Sequence, residues 1–182
     1  MARRRVIFHI DVNSAFLSWT AIRLMKDGMS DIRLVPSVVS GDPSDRRSII
    51  TAASIPAKRL GIRTADPVSM ALRKCPGLVI VKGDWEWYRI CSRGFIEICR
   101  SYSPVLQQFS IDECFIDMTM RNWGEDPTDV AARLKDEIKE KLGFTVNVGI
   151  GPNKLLAKMA SDFEKPDKVH TLWESEIAEK MW

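Results

Sequence analysis

Between Asp126 and Phe163 the apolar residues change period twice, and no other feature constrains the fold as much. Val130, Leu134, Ile138 and Leu142 recur every four residues, the spacing of one helix face. Phe144, Val146, Val148 and Ile150 then alternate, as in a strand with two unlike faces. Leu155, Leu156, Met159 and Phe163 return to helical spacing. The punctuation agrees with this helix–strand–helix reading. Asp126 offers an N-cap acceptor, Pro127 suits the first helical position, and Gly143 ends the first helix. The run Gly149-Ile150-Gly151-Pro152-Asn153 turns the strand into the second helix.

Strands and helices alternate through the rest of the chain as well. Residues 6–10 read as a buried strand ending at Asp11, and Asn13 or Ser14 can cap the following helix, which carries Ala15, Phe16, Trp19, Ile22 and Met25. Residues 34–39 are strand-like, 41–45 a loop, 51–60 a helix closed by Gly61, 67–75 a short helix stopped by Pro76-Gly77, and 78–81 a strand. Trp87, Cys91, Phe95, Ile98 and Tyr102 mark the core face of a helix ended by Pro104. Two apolar runs follow, 105–111 and 114–118; a last strand spans 169–172, and Ser175 opens a final helix. Ile177, Met181 and Trp182 near the end read as an apolar patch that promotes association.

A chain of 182 residues fits one domain, alone or with a small subdomain. With 45% apolar and 28% charged residues it has ordinary globular usage, and no apolar run is long enough for a membrane span. The basic start Arg3-Arg4-Arg5 lacks the apolar segment and cleavage site of a signal peptide. Cys75, Cys91, Cys99 and Cys114 have no C-x-x-C spacing and read as reduced core residues of a cytoplasmic protein. The net charge of +3 does not by itself indicate nucleic acid. Basic residues cluster at Arg3 to Arg5, Arg46-Arg47, Lys58-Arg59 with Arg63, Arg73-Lys74, and Lys154, Lys158, Lys165 and Lys168. Each cluster taken alone reads as solvated surface.

Three carboxylates carry the candidate chemistry. Asp11 follows the first strand, and Asp112-Glu113 separate the two apolar runs. Adjacent strand residues face opposite ways, so Asp112 and Glu113 can both face one ion only at a turn. Three carboxylates gathered in one place repel one another and need cations; all-oxygen donors suit Mg²⁺. Spacing alone does not separate this from a solvated acidic turn.

Residue identity does. His9-Ile10-Asp11-Val12-Asn13-Ser14-Ala15-Phe16 resembles the opening of the Y-family DNA polymerases, and Ser110-Ile111-Asp112-Glu113-Cys114-Phe115-Ile116-Asp117 resembles that family's acidic hairpin. Further likenesses follow in order. They are Ile55-Pro56-Ala57-Lys58-Arg59-Leu60-Gly61-Ile62, Tyr88 with Ser92, Val148-Gly149-Ile150-Gly151 with Asn153-Lys154-Leu155-Leu156-Ala157-Lys158, and Lys165-Pro166. Asp11-x-Asn13 and Lys58 look closer to the bacterial polymerase V catalytic subunit than to polymerase IV.

The resemblance implies an α/β (α+β) fold: a ferredoxin-like palm sheet with helices packed on it, from residues 1–16 and 85–182, plus a small fingers subdomain from 17–84. The family's thumb and little-finger domains have no counterpart in these residues. It implies template-directed DNA synthesis in translesion synthesis and repair, on primer-template DNA and deoxynucleoside triphosphates, with a sliding clamp and other repair proteins as partners. Asp11, Asp112, Glu113 and the Val12 carbonyl would hold two Mg²⁺ ions, with Mn²⁺ as a substitute. Phe16 falls at the steric gate under the sugar, where a core aromatic is the competing reading. Lys58 and Lys165 fall on the incoming triphosphate, and Lys154 and Lys158 on DNA phosphate, where plain surface lysines compete. Ala52 stands where many members carry Thr, Ser14 replaces a usual aromatic, and Asp117, His9 and His170 read as structural. A catalytically silent relative acting as a binding subunit, and a nucleotide cyclase with a palm-like sheet, are the alternatives from other classes.

Overall fold

The computed structural model describes residues 4–42, 45, 47–120 and 124–181. Arg3, Arg46, the Pro43-Ser44 part of the expected loop and Trp182 lie outside the described residues. The chain divides into two compact units, residues 4–13 with 90–181, and residues 14–89.

The first unit is built on a five-stranded sheet. Its strands are β1 (Ile7–Val12), β5 (Leu106–Gln108), β6 (Glu113–Asp117), β7 (Val146–Gly151) and β8 (Val169–Thr171), in the spatial order β5-β6-β1-β7-β8. β1 is antiparallel to β6 and β7, β5 to β6, and β8 runs parallel to β7. The period change seen in the sequence is realised as α5 (Pro127–Leu142), then β7, then α6 (Lys154–Ser161). Asp126 caps α5 by accepting the Thr128 amide, and Gly143 ends it at φ 78°, a left-handed conformation that glycine adopts without strain. Asn153 caps α6 by accepting the Leu156 amide. From Ile90 onward α4 (Trp85–Tyr102) belongs to this unit, and Gly94 leaves room for Leu142 of α5.

The second unit holds a three-stranded sheet in the order β3-β2-β4, from β2 (Ser37–Ser40), β3 (Ile50–Ala53) and β4 (Val79–Lys82). Around it lie α1 (Ala15–Lys26), α2 (Ile55–Arg59) and α3 (Val68–Lys74). Val38, Ile50, Ala53, Ala57, Ile62, Val68 and Ala71 form one core cluster, and Leu17, Ala21, Ile32, Val39 and Ala52 another. The central strand β2 and its neighbour β3 therefore each contribute apolar side chains to both clusters.

Several boundaries differ from the expectation. β1 runs on to Val12, so Asp11 lies inside a strand pairing rather than after it. Ser14 begins α1 from a left-handed φ of 46° and makes no side-chain cap. Residues 34–36 are not strand: Asp31 caps a 3-10 turn over Ile32–Leu34, and Pro36 has no N–H for a ladder. Residues 51–53 are strand, not helix, because Ile50 and Thr51 are β-branched and Ser54 starts α2 by accepting the Ala57 amide. Along α4 the buried stripe is Tyr88, Cys91, Phe95 and Cys99, one residue out of phase with the expected Trp87 and Ile98. The end of the chain forms a 3-10 turn (Glu174–Glu176) and then α7 (Ile177–Met181). Ile177 and Met181 pack against Leu156, Ala160 and Leu172 instead of leaving an open patch. The four cysteines are free thiols, three of them buried. Among the described residues no helix is long and apolar enough to cross a membrane.

Candidate active site

The two faces of β1 divide the site from the core. Phe8 and Ile10 point one way, with Cys114, Ile116, Val146, Val148 and Ile150 of the flanking strands, and all seven are fully buried. Ile7, His9 and Asp11 point the other way, toward α6. Strand register sets three cross-strand rows on that face: Asp117–Ile7–Gly151, Phe115–His9–Gly149 and Glu113–Asp11–Asn147. Over the first two rows α6 lies directly on the sheet. A Cβ on Gly149 would sit 2.0 Å from the Ala157 carbonyl oxygen, and one on Gly151 2.8 Å from the Ala157 nitrogen. Ala157 itself packs with Ile7 and Phe115. Only the third row, at the end where α6 finishes, carries acidic side chains facing each other across the sheet.

The turn between β5 and β6 brings in the remaining carboxylate. Ser110 and Phe109 donate their amides to the Glu113 carbonyl, and Ser110 Oγ donates to Asp112 Oδ1 at 2.6 Å. The Val12 amide donates to the Asp112 carbonyl at 3.0 Å, fixing Asp112 beside β1. Asp11, Val12, Asp112 and Glu113 are thus neighbours through backbone pairing. Their side chains take cationic partners: Lys165 donates to Asp11 Oδ2 and to Asp162 Oδ1, and Lys158 donates to Glu113 Oε2. Among the described residues no three acidic, histidine or cysteine side chains converge as a ready ligand group.

His9 lies under this row. Its Nε2 is 2.8 Å from Glu113 Oε2 and its Nδ1 2.8 Å from Ser161 Oγ. Burial holds the imidazole pKa below its ordinary value despite the Glu113 hydrogen bond. At Glu113 burial pushes the carboxyl pKa up, but hydrogen bonds from Lys158 and His9 outweigh it and the net shift is down. At Asp11 burial wins and the pKa rises even though Lys165 is bound. Burial would lower Lys165, and its bonds to Asp11 and Asp162 reverse that. One ammonium therefore does not fully compensate the Asp11 carboxylate. The donors here are all oxygen, and the row has drawn in ammonium groups from two positions. That chemistry fits a hard divalent cation, which Asp11, Asp112, Glu113 and the Val12 carbonyl would hold with the lysines displaced.

The other expected residues are placed as follows. Lys158 also lies 5.1 Å from the Phe109 ring centre and belongs to the acidic row, whereas Lys154 turns to Gln107 and the Phe115 ring. In the second unit Phe16 is half-buried, stacked on Tyr88 at 5.0 Å and edge-on to Trp85 at 5.3 Å. Lys58 is exposed and donates to Ser14 Oγ at 3.2 Å, two residues before Phe16. Thr51 donates its hydroxyl to the Val39 carbonyl, and Ala52 is core, so neither offers a free hydroxyl. Asp117 accepts from Arg5 and from the Thr119 amide at the far end of β6, and His170 lies edge-on to Phe163.

Reading by residue type left His9 as structural and did not single out Asn147, and both adjoin the acidic row. His9 shares parity with Asp11, two residues away, which places both on one strand face. That was the available signal.

The family described as impB/mucB/samB matches residues 10–162. DNA polymerase IV of Clostridium acetobutylicum is 47% identical over 179 residues, which cover 98% of this chain and 45% of that protein. A Y-family DNA polymerase chimera of Dbh and Dpo4 superposes with a TM-score of 0.87 at 24% identity, covering 96% of this chain and 50% of the chimera. The crystal structure of DinB from Sulfolobus solfataricus superposes with a TM-score of 0.83 at 26% identity, with the same coverage. The chain thus spans about half the length of the proteins it matches. The relatives carrying the polymerase IV name extend across the whole chain, and they lend no support to a polymerase V branch.

Proposed function

The chain belongs to the impB/mucB/samB family, the Y-family DNA polymerases, and from that premise we propose that it is the catalytic core for nucleotidyl transfer to a primer end in translesion synthesis. The first unit reads as the palm and the second as the fingers. The observation that carries the proposal is the acidic row: Asp11 stands opposite Glu113 across β1 and β6, with Asp112 fixed beside them and lysines on two of the three.

Two bound Mg²⁺ ions would ease deprotonation of the attacking hydroxyl and offset the negative charge of the transferring phosphate. The protein's share is to hold and position. Asp11 joins the strand core to the acidic turn, so a donor from β1 and donors from the turn stay in fixed register. Lys165, which meets Asp11, and Lys58 are the lysines this reading assigns to the incoming triphosphate, where an ammonium serves as a point charge. Phe16 presents a ring to the sugar and discriminates against a 2′-hydroxyl by clash. Lys158 and, more remotely, Lys154 meet DNA phosphate. Primer-template DNA and deoxynucleoside triphosphates are the substrates of this reading, and a sliding clamp and other repair proteins are its partners through regions beyond this chain.

Primer extension by the full-length protein tests it. With Mg²⁺ the wild type extends a primer, and an Asp112→Ala, Glu113→Ala variant of equal thermal stability falls to background. Retained extension in that variant overturns the assignment of the acidic row.

A further inference from the structure

Lys165 lies on the connection between α6 and β8, a segment without regular structure from Asp162 to Lys168. Such a connection does not by itself fix a lysine over a strand residue. Here it is held from below by two buried amides, Asn147 of β7 and Asn13 just after β1, which are 0% and 7% exposed. Asn147 uses every hydrogen-bonding position of its side chain. Its amide group donates to the Ser161 carbonyl at 3.0 Å and to the Glu164 carbonyl at 2.6 Å. Its oxygen accepts from Asn13 Nδ2 at 3.1 Å and from the Lys168 amide at 3.3 Å. Asn13 Oδ1 in turn accepts the Asp167 amide at 2.9 Å. The two amides therefore grip the backbone on both sides of Lys165, at Ser161 and Glu164 before it and at Asp167 and Lys168 after it.

Side chains clamp the same segment from α5. Asp167 accepts from Lys135 at 2.9 Å and from Lys139 at 2.7 Å. Asn147 is also the third member of the acidic row, directly opposite Asp11. The grip thus lies in register with the carboxylate that Lys165 meets. A buried amide pair engaged in this way specifies one local geometry, because any shift leaves a donor or acceptor unmet.

We propose that Asn13 and Asn147 form a latch whose task is to position Lys165 at the acidic row, making both of them positioning residues for phosphate binding. The proposal rests on the reading of Lys165 as a triphosphate ligand. The latch itself is a claim about the backbone of residues 164–168 and is tested apart from that reading.

Amide hydrogen exchange tests the latch. In Asn147→Ala the Lys168 and Asp167 amides lose protection while β1 and β6 keep theirs. Unchanged protection at both amides overturns the latch. The functional half is a double-mutant cycle read by inorganic tripolyphosphate binding in the presence of Mg²⁺. Lys165→Ala weakens binding about tenfold, the scale of a lost charge-assisted hydrogen bond. Asn147→Ala reproduces most of that loss, and the double variant adds little, because the two changes remove the same contact. Independent, additive losses overturn the positioning role. If Lys165→Ala leaves tripolyphosphate affinity unchanged, the triphosphate reading of Lys165 fails and the positioning role falls with it, while the exchange result still decides whether the latch exists. Should Asn147→Ala not fold, Asn13→Ala removes the Asp167 contact and carries the same cycle.

Discussion

Asp11 combines a raised pKa with a bound ammonium, and that combination says what this position lacks. Burial costs the carboxylate more than Lys165 returns, so a second positive charge is stabilising there. Phe16 allows an independent check at the same scale. It is half-buried against Tyr88 and Trp85, so truncation removes packing as well as a steric wall. In the full-length protein Phe16→Ala is expected to raise ribonucleotide incorporation far more than it changes deoxynucleotide incorporation. Single-nucleotide kinetics with the two sugars measure this, and a parallel fall in both would make Phe16 a core residue only. Asp11, Asp112 and Glu113 were legible because their neighbours in sequence are so distinctive. His9 and Asn147 were not, because their partners Glu113 and Ser161, or Asn13 and Lys168, come from distant parts of the chain. No local pattern announces a contact that register alone creates.

Elements were legible where period and punctuation agreed, as in α5 with its Asp126 cap and Gly143 stop. They were misread where a polar residue set the boundary against the apolar pattern, as Ser54 and Asp31 do. The packing of α6 on β7 was invisible in sequence and rests on two glycines. Gly149→Ala places a methyl 2.0 Å from the Ala157 carbonyl oxygen, which is backbone and cannot swing away. The expected loss is about 3 kcal/mol, the upper part of the usual overpacking cost, read by denaturant unfolding. A neutral substitution would mean that α6 is not seated on the sheet. The clamp on the α6–β8 connection has a pH signature. Burial would raise the Asp167 pKa, but Lys139 and Lys135 hold it below the usual carboxylate value. Its stabilising contribution is therefore complete above the unfolded-chain pKa near ~4 and is lost as pH falls through the lowered folded value. Asp167→Asn is expected to be less stable than wild type at neutral pH, with the gap closing below about pH 4. A gap of constant size across that range contradicts the ion-pair account.

Across the whole chain, the alternation of strand and helix foretold a sheet with helices on it; the division at residues 13/14 coincides with the cap position read before the first helix, while that at 89/90 had no punctuation of its own. The second division falls inside α4, between Arg89 and Ile90, neither of them a helix breaker. Asp11, Asp112 and Glu113 are proposed to form one divalent-cation site in the first unit. Mn²⁺ titration of this 182-residue chain, followed by electron paramagnetic resonance, tests that claim most directly. Saturable binding to the wild type is expected, tightened by tripolyphosphate because phosphate oxygens complete the ion's shell, and lost in an Asp112→Ala, Glu113→Ala variant that remains folded. Equal Mn²⁺ binding by the two folded proteins would contradict it.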